Sequence, residues 1–177
     1  MAGQAEGTLE VPSFDSPVKV LIVVAPFYRD IADWLLEGAR AVLDAAGVEH
    51  ETIEVPGALE IPTAIGIAGR LSNFDGYVAL GCVIRGETTH YETVCNDSSR
   101  GITLLGLSGH CIGNGILTVE NKAQADARAN PAEMDKGAGA AEAALHLIAL
   151  ARRWGGPRKG VGFTSDILLA SGGTQNA

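Results

Sequence analysis

Aromatic residues are scarce, 5% of 177 positions. The core must therefore be built from Ala, Val, Ile and Leu. Charged residues are also sparse, 19% against a typical ~25%, which hints that part of the surface is covered in an oligomer. The net charge is −8, and no basic run exceeds Arg152-Arg153 and Arg158-Lys159. Proteins that track nucleic-acid backbones or anionic membranes carry a basic patch, so neither partner is expected. The paired arginines read as a solvated helix end and tail. Cysteine is limited to Cys82, Cys95 and Cys111, an odd number at wide spacing with no CxxC. That excludes a disulfide framework and a structural zinc site. No two histidines stand at metal-ligand spacing, so no metal is expected. Met1 to Pro17 has no Lys or Arg and no apolar run, unlike a signal peptide. The longest purely apolar stretch, Val20 to Ala25, is far shorter than the ~20 residues of a membrane span. A cytoplasmic setting is the expectation.

Hydrophobic residues reach 46%, too many for a disordered acidic chain. Their spacing alternates between two periods. Val18 to Ala25 is a β-branched run of the kind buried on both faces of a parallel sheet. Asp30 to Ala46 repeats Ile31, Leu35, Ala39, Val42, Leu43 and Ala46 on one helical face, and Gly47 ends it. Val48 to Val55 is a half-polar strand suited to a sheet edge, and Glu60 to Leu71 is a second helix. Gly76 to Ile84 is a third buried strand, and Thr88 to about Leu107 a third helix. Gly109 to Gly115 reads as a loop before a short strand, Ile116 to Val119. Asn121 caps a helix running to Ala129, Pro131 breaks it, and Glu133 to Arg153 is a last, Ala-rich helix. Alternating strands and helices predict an α/β protein, a three-layer sandwich around a parallel four-stranded sheet. Residues 1–17 read as a flexible arm, 18–154 as the domain, and 155–177 as a mobile tail.

In such a sheet ligands bind beyond the carboxyl ends of the strands. Four segments stand there. Phe27 and Tyr28 follow the first strand; they form either a stacking wall for a planar ring or a cover for the core edge. Glu60, after the Pro56-Gly57 turn, is either a ligand group or a helix-dipole partner. Thr88, Thr89 and His90 follow the third strand and the Gly86 turn. Backbone N–H groups and hydroxyls at a helix start make an anion site, and a histidine beside one can move protons near neutral pH. The alternative is a plain cap with a surface histidine. Arg128, in the helix after Val119, either clamps a phosphate or pairs with Asp126 or Glu133. Cys82 reads as a small core residue, His146 as a packed helix residue, and His50 and His110 as surface residues. Gly113-Asn114-Gly115 precedes a strand rather than a helix, which rejects the dinucleotide fingerprint.

The segments VPGALEIP (55–62), ALGCVIRGETTHYETV (79–94) and NGILTVEN…QADAR (114–128) together closely resemble the lumazine synthases. The likeness runs in order from about Val18 to Arg153. It implies a flavodoxin-like sandwich that uses no metal or organic cofactor. The implied reaction, the penultimate step of riboflavin biosynthesis, condenses 5-amino-6-(D-ribitylamino)uracil with 3,4-dihydroxy-2-butanone 4-phosphate and releases phosphate and water. The resemblance assigns Phe27 to stacking on the pyrimidine, and Ala58, Leu59 and Glu60 to the ribitylaminouracil. Cys82, Val83 and Ile84 would line the ring pocket. Glu87 and Thr88 would hold the phosphate, and His90 would donate the proton. A neighbouring subunit would bring Asn114 to the pyrimidine and Arg128 to the phosphate, so active sites would lie at subunit interfaces.

Three positions depart from the common pattern: Tyr28 where Asn is frequent, Glu87 where Ala is, and Asn114 where Phe is. Lys136 falls on a lysine often present at the start of the family's last helix. The link from Asn130 to Asp135 contains Pro131 and no glycine, as in members that stop at pentamers rather than sixty-subunit shells. A sequestering protein or a shell subunit with the same fold are the competing expectations.

Overall fold

The computed structural model describes residues 9–155. The strands are β1 (Lys19–Val24), β2 (Glu49–Glu54), β3 (Gly76–Ile84) and β4 (Ile112–Val119). The helices are α1 (Arg29–Ala45), α2 (Glu60–Leu71), α3 (His90–Leu107), α4 (Lys122–Ala129) and α5 (Lys136–Trp154). All strand pairs are parallel, in the order β2-β1-β3-β4. The half-polar β2 is indeed an edge strand, while β1 and β3 are central and almost wholly buried.

Side chains alternate across a strand, so each strand feeds two cores. Val20, Ile22, Val24, Val78 and Leu80 meet α1, α4 and α5 through Ile31, Leu35, Leu43, Ala125, Leu145 and Ile148. Leu21, Val23, Tyr77 and Ala79 meet α2 and α3 through Ile61, Ile65 and Ile102. Each fully buried Leu or Ile contributes about 1.5–3 kcal/mol.

The helix ends follow their local chemistry. Gly47, at φ +66°, closes α1. Its N–H bonds Asp44 O and the Val48 N–H bonds Leu43 O, both at 3.0 Å, which satisfies the last carbonyls. Asn121 caps α4 by accepting from the Gln124 N–H at 3.0 Å.

Two boundaries differ from expectation. β4 begins at Ile112, so Gly113, Asn114 and Gly115 are strand residues rather than a loop. A Cβ on Gly113 would lie 1.8 Å from Ala140 O, so the glycine lets α5 lie against the sheet. α5 begins at Lys136, three residues later than its pattern suggested. Asp135, at φ +42°, turns the chain and caps the helix through the Ala138 N–H at 3.1 Å. α1 and α5 also touch through glycine: a Cβ on Gly137 would meet Leu35 O at 2.1 Å.

Arg152 is bound rather than merely solvated. It donates to Ser16 O, Ser16 Oγ, Pro17 O and Asp75 Oδ1 at 2.6–3.2 Å and lies over the Phe14 ring. The outer parts of the expected arm and tail, residues 1–8 and 156–177, lie outside the described residues.

Candidate active site

A cavity of about 420 Å³ opens at the carboxyl ends of β1 and β3. Its walls come from three of the four segments singled out in the sequence. Phe27 and Tyr28 stand just after β1, with their rings edge to face at 5.1 Å. Phe27 is 74% exposed, so it packs on little of its own chain while lining the opening. Ala58, Leu59 and Glu60 enter from the turn before α2, where Glu60 is the first helical residue. A carboxylate there is favoured by the helix dipole. Cys82, Val83 and Ile84 form the floor at the end of β3. Cys82 is 8% exposed, and burial pushes its thiol up to about 11. It is a neutral, small wall residue rather than a nucleophile.

The fourth wall is Gly86, Thr88, His90 and Tyr91. α3 begins at His90, two residues later than expected, and Thr89 at the cap position makes no side-chain cap. The Thr88 hydroxyl accepts from the His90 N–H at 3.4 Å. The first helical bond runs from the Thr93 N–H to Thr89 O at 3.3 Å. The earlier N–H groups therefore have no helical acceptor and can bind an anion.

Glu87 does not line the cavity, which passes from Gly86 to Thr88. Asn114 lies opposite Ala79 in β4, whereas Cys82 lies opposite Leu117. Asn114 is thus about 10 Å back from the pocket level, and its side chain accepts from the Ile116 N–H. Arg128 is also absent from this chain's pocket, and its Nη1 donates to Gln124 O at 3.0 Å. The acid pairings considered for it do not form. Asp126 is held by Lys122, which also binds Asp30, and Glu133 accepts from Asn130.

The lining contains no lysine or arginine. Arg85, between the lining residues Ile84 and Gly86, is committed to Glu92 and to Glu120, the latter at 2.6 Å, and Arg29, next to Tyr28, is committed to Glu54. A dianion bound at the start of α3 would lack a cationic partner within this chain. Among the described residues no group of His, Cys, Asp or Glu is arranged to hold a metal, and no helix is long and apolar enough to cross a membrane. Sequence reasoning marked Tyr28, with Phe27, as a candidate stacking wall, but assigned no role to Tyr91, which also lines the cavity.

Residues 17–152 match the family model described as 6,7-dimethyl-8-ribityllumazine synthase. The chain belongs to that family. A 6,7-dimethyl-8-ribityllumazine synthase of Jannaschia sp. (strain CCS1) is 60% identical over 177 residues, 99% of each chain. One from Sphingopyxis alaskensis is 58% identical over 136 residues, 77% of this chain and 96% of the relative. One from Bartonella bacilliformis is 56% identical over 144 residues, 78% and 93% respectively. Membership makes this chain a transferase of riboflavin biosynthesis. Two of the three segments that carried the resemblance, 55–62 and 79–94, line the pocket, together with Phe27 and Tyr28.

Proposed function

We propose that this pocket condenses 5-amino-6-(D-ribitylamino)uracil with 3,4-dihydroxy-2-butanone 4-phosphate. The observation that supports it is the union, in one cavity, of a ring-stacking wall and an uncapped helix start. The first suits a flat pyrimidine, and the second suits a phosphate.

Phe27 covers one face of the uracil, while Cys82, Val83 and Ile84 contact its edge. Ala58, Leu59 and Glu60 hold the ribitylamino chain. The amine attacks the ketone carbonyl and water leaves, giving an imine. Loss of the proton on the adjacent hydroxyl-bearing carbon gives an enol, phosphate departs by elimination, tautomerisation leaves a ketone, and the second amine adds to it and loses a second water to close the ring. Thr88 and the N–H groups at the start of α3 hold the phosphate. His90, at the same end, donates and recovers the proton in the dehydration and elimination steps. Orientation of two bound reactants supplies much of the acceleration, so His90→Ala slows turnover without abolishing it. No cofactor takes part in this scheme.

The missing cation comes from a second subunit. Arg128 is half-buried with no acid partner among the described residues, and a cation at the leaving group stabilises it. Asn114 of that subunit faces the pyrimidine. Self-association is supported by an apolar face on α2 and α3, where Leu71 is 81% and Leu107 82% exposed beside Ile67 and Leu104. The assembly is a cytoplasmic homopentamer, and sedimentation distinguishes five chains from sixty.

The test is turnover with both substrates, followed by lumazine fluorescence, for wild type and Arg128→Ala. The proposal expects rapid product from wild type and a large loss in the variant at low phosphate-substrate concentration. Product no faster than the spontaneous reaction from folded wild type sinks the enzyme and brings the sequestering reading forward.

A further inference from the structure

We propose that Arg85 is a positioning residue for the phosphate end of the pocket. It fixes the first turn of α3, and with it the anion-binding N–H groups and the His90 ring, by tying that turn to the ends of β3 and β4. This rests on the reading of the α3 start as the phosphate site.

Arg85 directly follows β3, and its N–H donates to Val119 O at the end of β4, at 2.9 Å. Its side chain then reaches three places at once. Nε donates to Glu120 just beyond β4 at 2.6 Å, and Nη1 donates to Glu92 in the first turn of α3. The guanidinium carbon lies over the Tyr91 ring, 4.1 Å from its centroid. Tyr91 follows His90, and both line the pocket.

The turn that Arg85 holds has little else to hold it. Thr89 makes no side-chain cap, and the long 3.4 Å bond from the His90 N–H to Thr88 is a weak tether. Residues 85–90 are all exposed. Exposed ion pairs add little to stability, so the network makes a poor staple for the fold. A planar fork held by two carboxylates over an aromatic ring nevertheless fixes direction, which a lysine cannot do. Two carboxylates consume the charge, so Arg85 acts on the phosphate only through α3. A helix start must face its anion closely to bind it, and misplacement by an ångström is costly.

The experiment is steady-state kinetics of the full-length enzyme, varying each substrate separately, for wild type, R85M, R85K and E120Q. Inorganic phosphate binding by titration calorimetry is measured in parallel. R85M is expected to raise KM for the phosphate-bearing substrate about tenfold and to lower kcat. KM for the pyrimidine substrate, held by the opposite walls, changes less than about twofold on the same reasoning. R85K, with charge but no fork, resembles R85M. E120Q loosens one tether and gives a smaller shift in the same direction, roughly two- to threefold.

Equal changes in both KM values, or none, overturn the proposal; a purely structural role would lower thermal stability and leave the KM ratio unmoved. If R85M does not fold, E120Q decides on the same terms. If wild type turns nothing over but binds phosphate, and R85M weakens that binding, the synthase reading fails and the positioning role stands. Phosphate binding unchanged by R85M removes the positioning role whatever the turnover.

Discussion

Replacing Gly113 by alanine tests the contact that places β4 and, through it, Asn114. A Cβ at Gly113 would sit 1.8 Å from Ala140 O, 2.8 Å from Ala140 C and 3.0 Å from Ala144 N. All three atoms belong to the α5 backbone, so no side chain can swing away. Reaching an ordinary contact near 3.4 Å requires α5 to move off the sheet by about 1.5 Å, and interiors are too densely packed to absorb that locally. Ala144, Leu145 and Ile148, all buried, ride on the displaced helix. Overpacking typically costs 1–3 kcal/mol, and a wholly backbone clash belongs at the upper end, about 3 kcal/mol. Alanine recovers roughly 0.5–1 kcal/mol through lower backbone entropy, leaving a net loss of about 2 kcal/mol. Gly139 supplies the control: it is exposed in the same helix, and a Cβ there meets nothing within 4 Å. Gly139→Ala should therefore stabilise by about 0.4–1 kcal/mol. Urea unfolding by circular dichroism at one fixed protein concentration measures both. A Gly113→Ala variant as stable as wild type would refute the α5–sheet contact.

Phe27→Ala should leave the urea midpoint nearly unchanged, because the ring is 74% exposed. It should weaken the pyrimidine substrate by about 2- to 10-fold, the value of one aromatic stacking contact, and unchanged KM for that substrate would remove Phe27 from the wall. Cys82 makes stability depend on alkaline pH. Its thiol is raised by burial from 9.0 to about 11, so the native state keeps its proton after the unfolded chain loses one. The stabilisation is complete below pH 9 and lost as pH rises towards 11, at most about 3 kcal/mol. Burial also raises Tyr77 and Cys111, which adds to the same trend. Cys82→Ala should flatten this decline, and superposable pH–stability profiles would contradict the buried-thiol assignment. Asn121→Ala removes the bond to the Gln124 N–H and should cost about 1 kcal/mol in the same unfolding assay.

The central strands, the end of α1 and the cap of α4 were legible because their signals are local. A β-branched run, a glycine two residues past a helix, and an Asn before one each act within a few residues. The start of β4 was not legible, since Gly113 and Gly115 look like turn residues when α5 is out of view. The reason for Gly113 is the backbone of Ala140, 27 positions away along the chain, and for Gly115 it is the Leu80 and Ala140 side chains. The start of α5 turned on Asp135 adopting a left-handed backbone, which its spacing does not disclose. Within the site, the walls followed from motif positions at strand ends. The bridge from Arg85 to Glu120 spans 35 residues and depends on β3 and β4 being neighbours, so only the fold reveals it. The same holds for Arg152, a charged helix end by composition that reaches back to Ser16.

The central claim is that one chain's pocket is completed by Arg128 of another. Subunit complementation tests it most directly. Phe27→Ala/Thr88→Ala/His90→Ala disables the pocket side at three exposed positions, and Arg128→Ala disables the clamp side. The two variants are unfolded, mixed in equal amounts and refolded together. Random mixing places an intact pocket beside an intact Arg128 at about one interface in four, so activity near a quarter of wild type is expected from two nearly inactive parents. A mixture no more active than the average of its parents, with oligomers formed, would contradict the shared site.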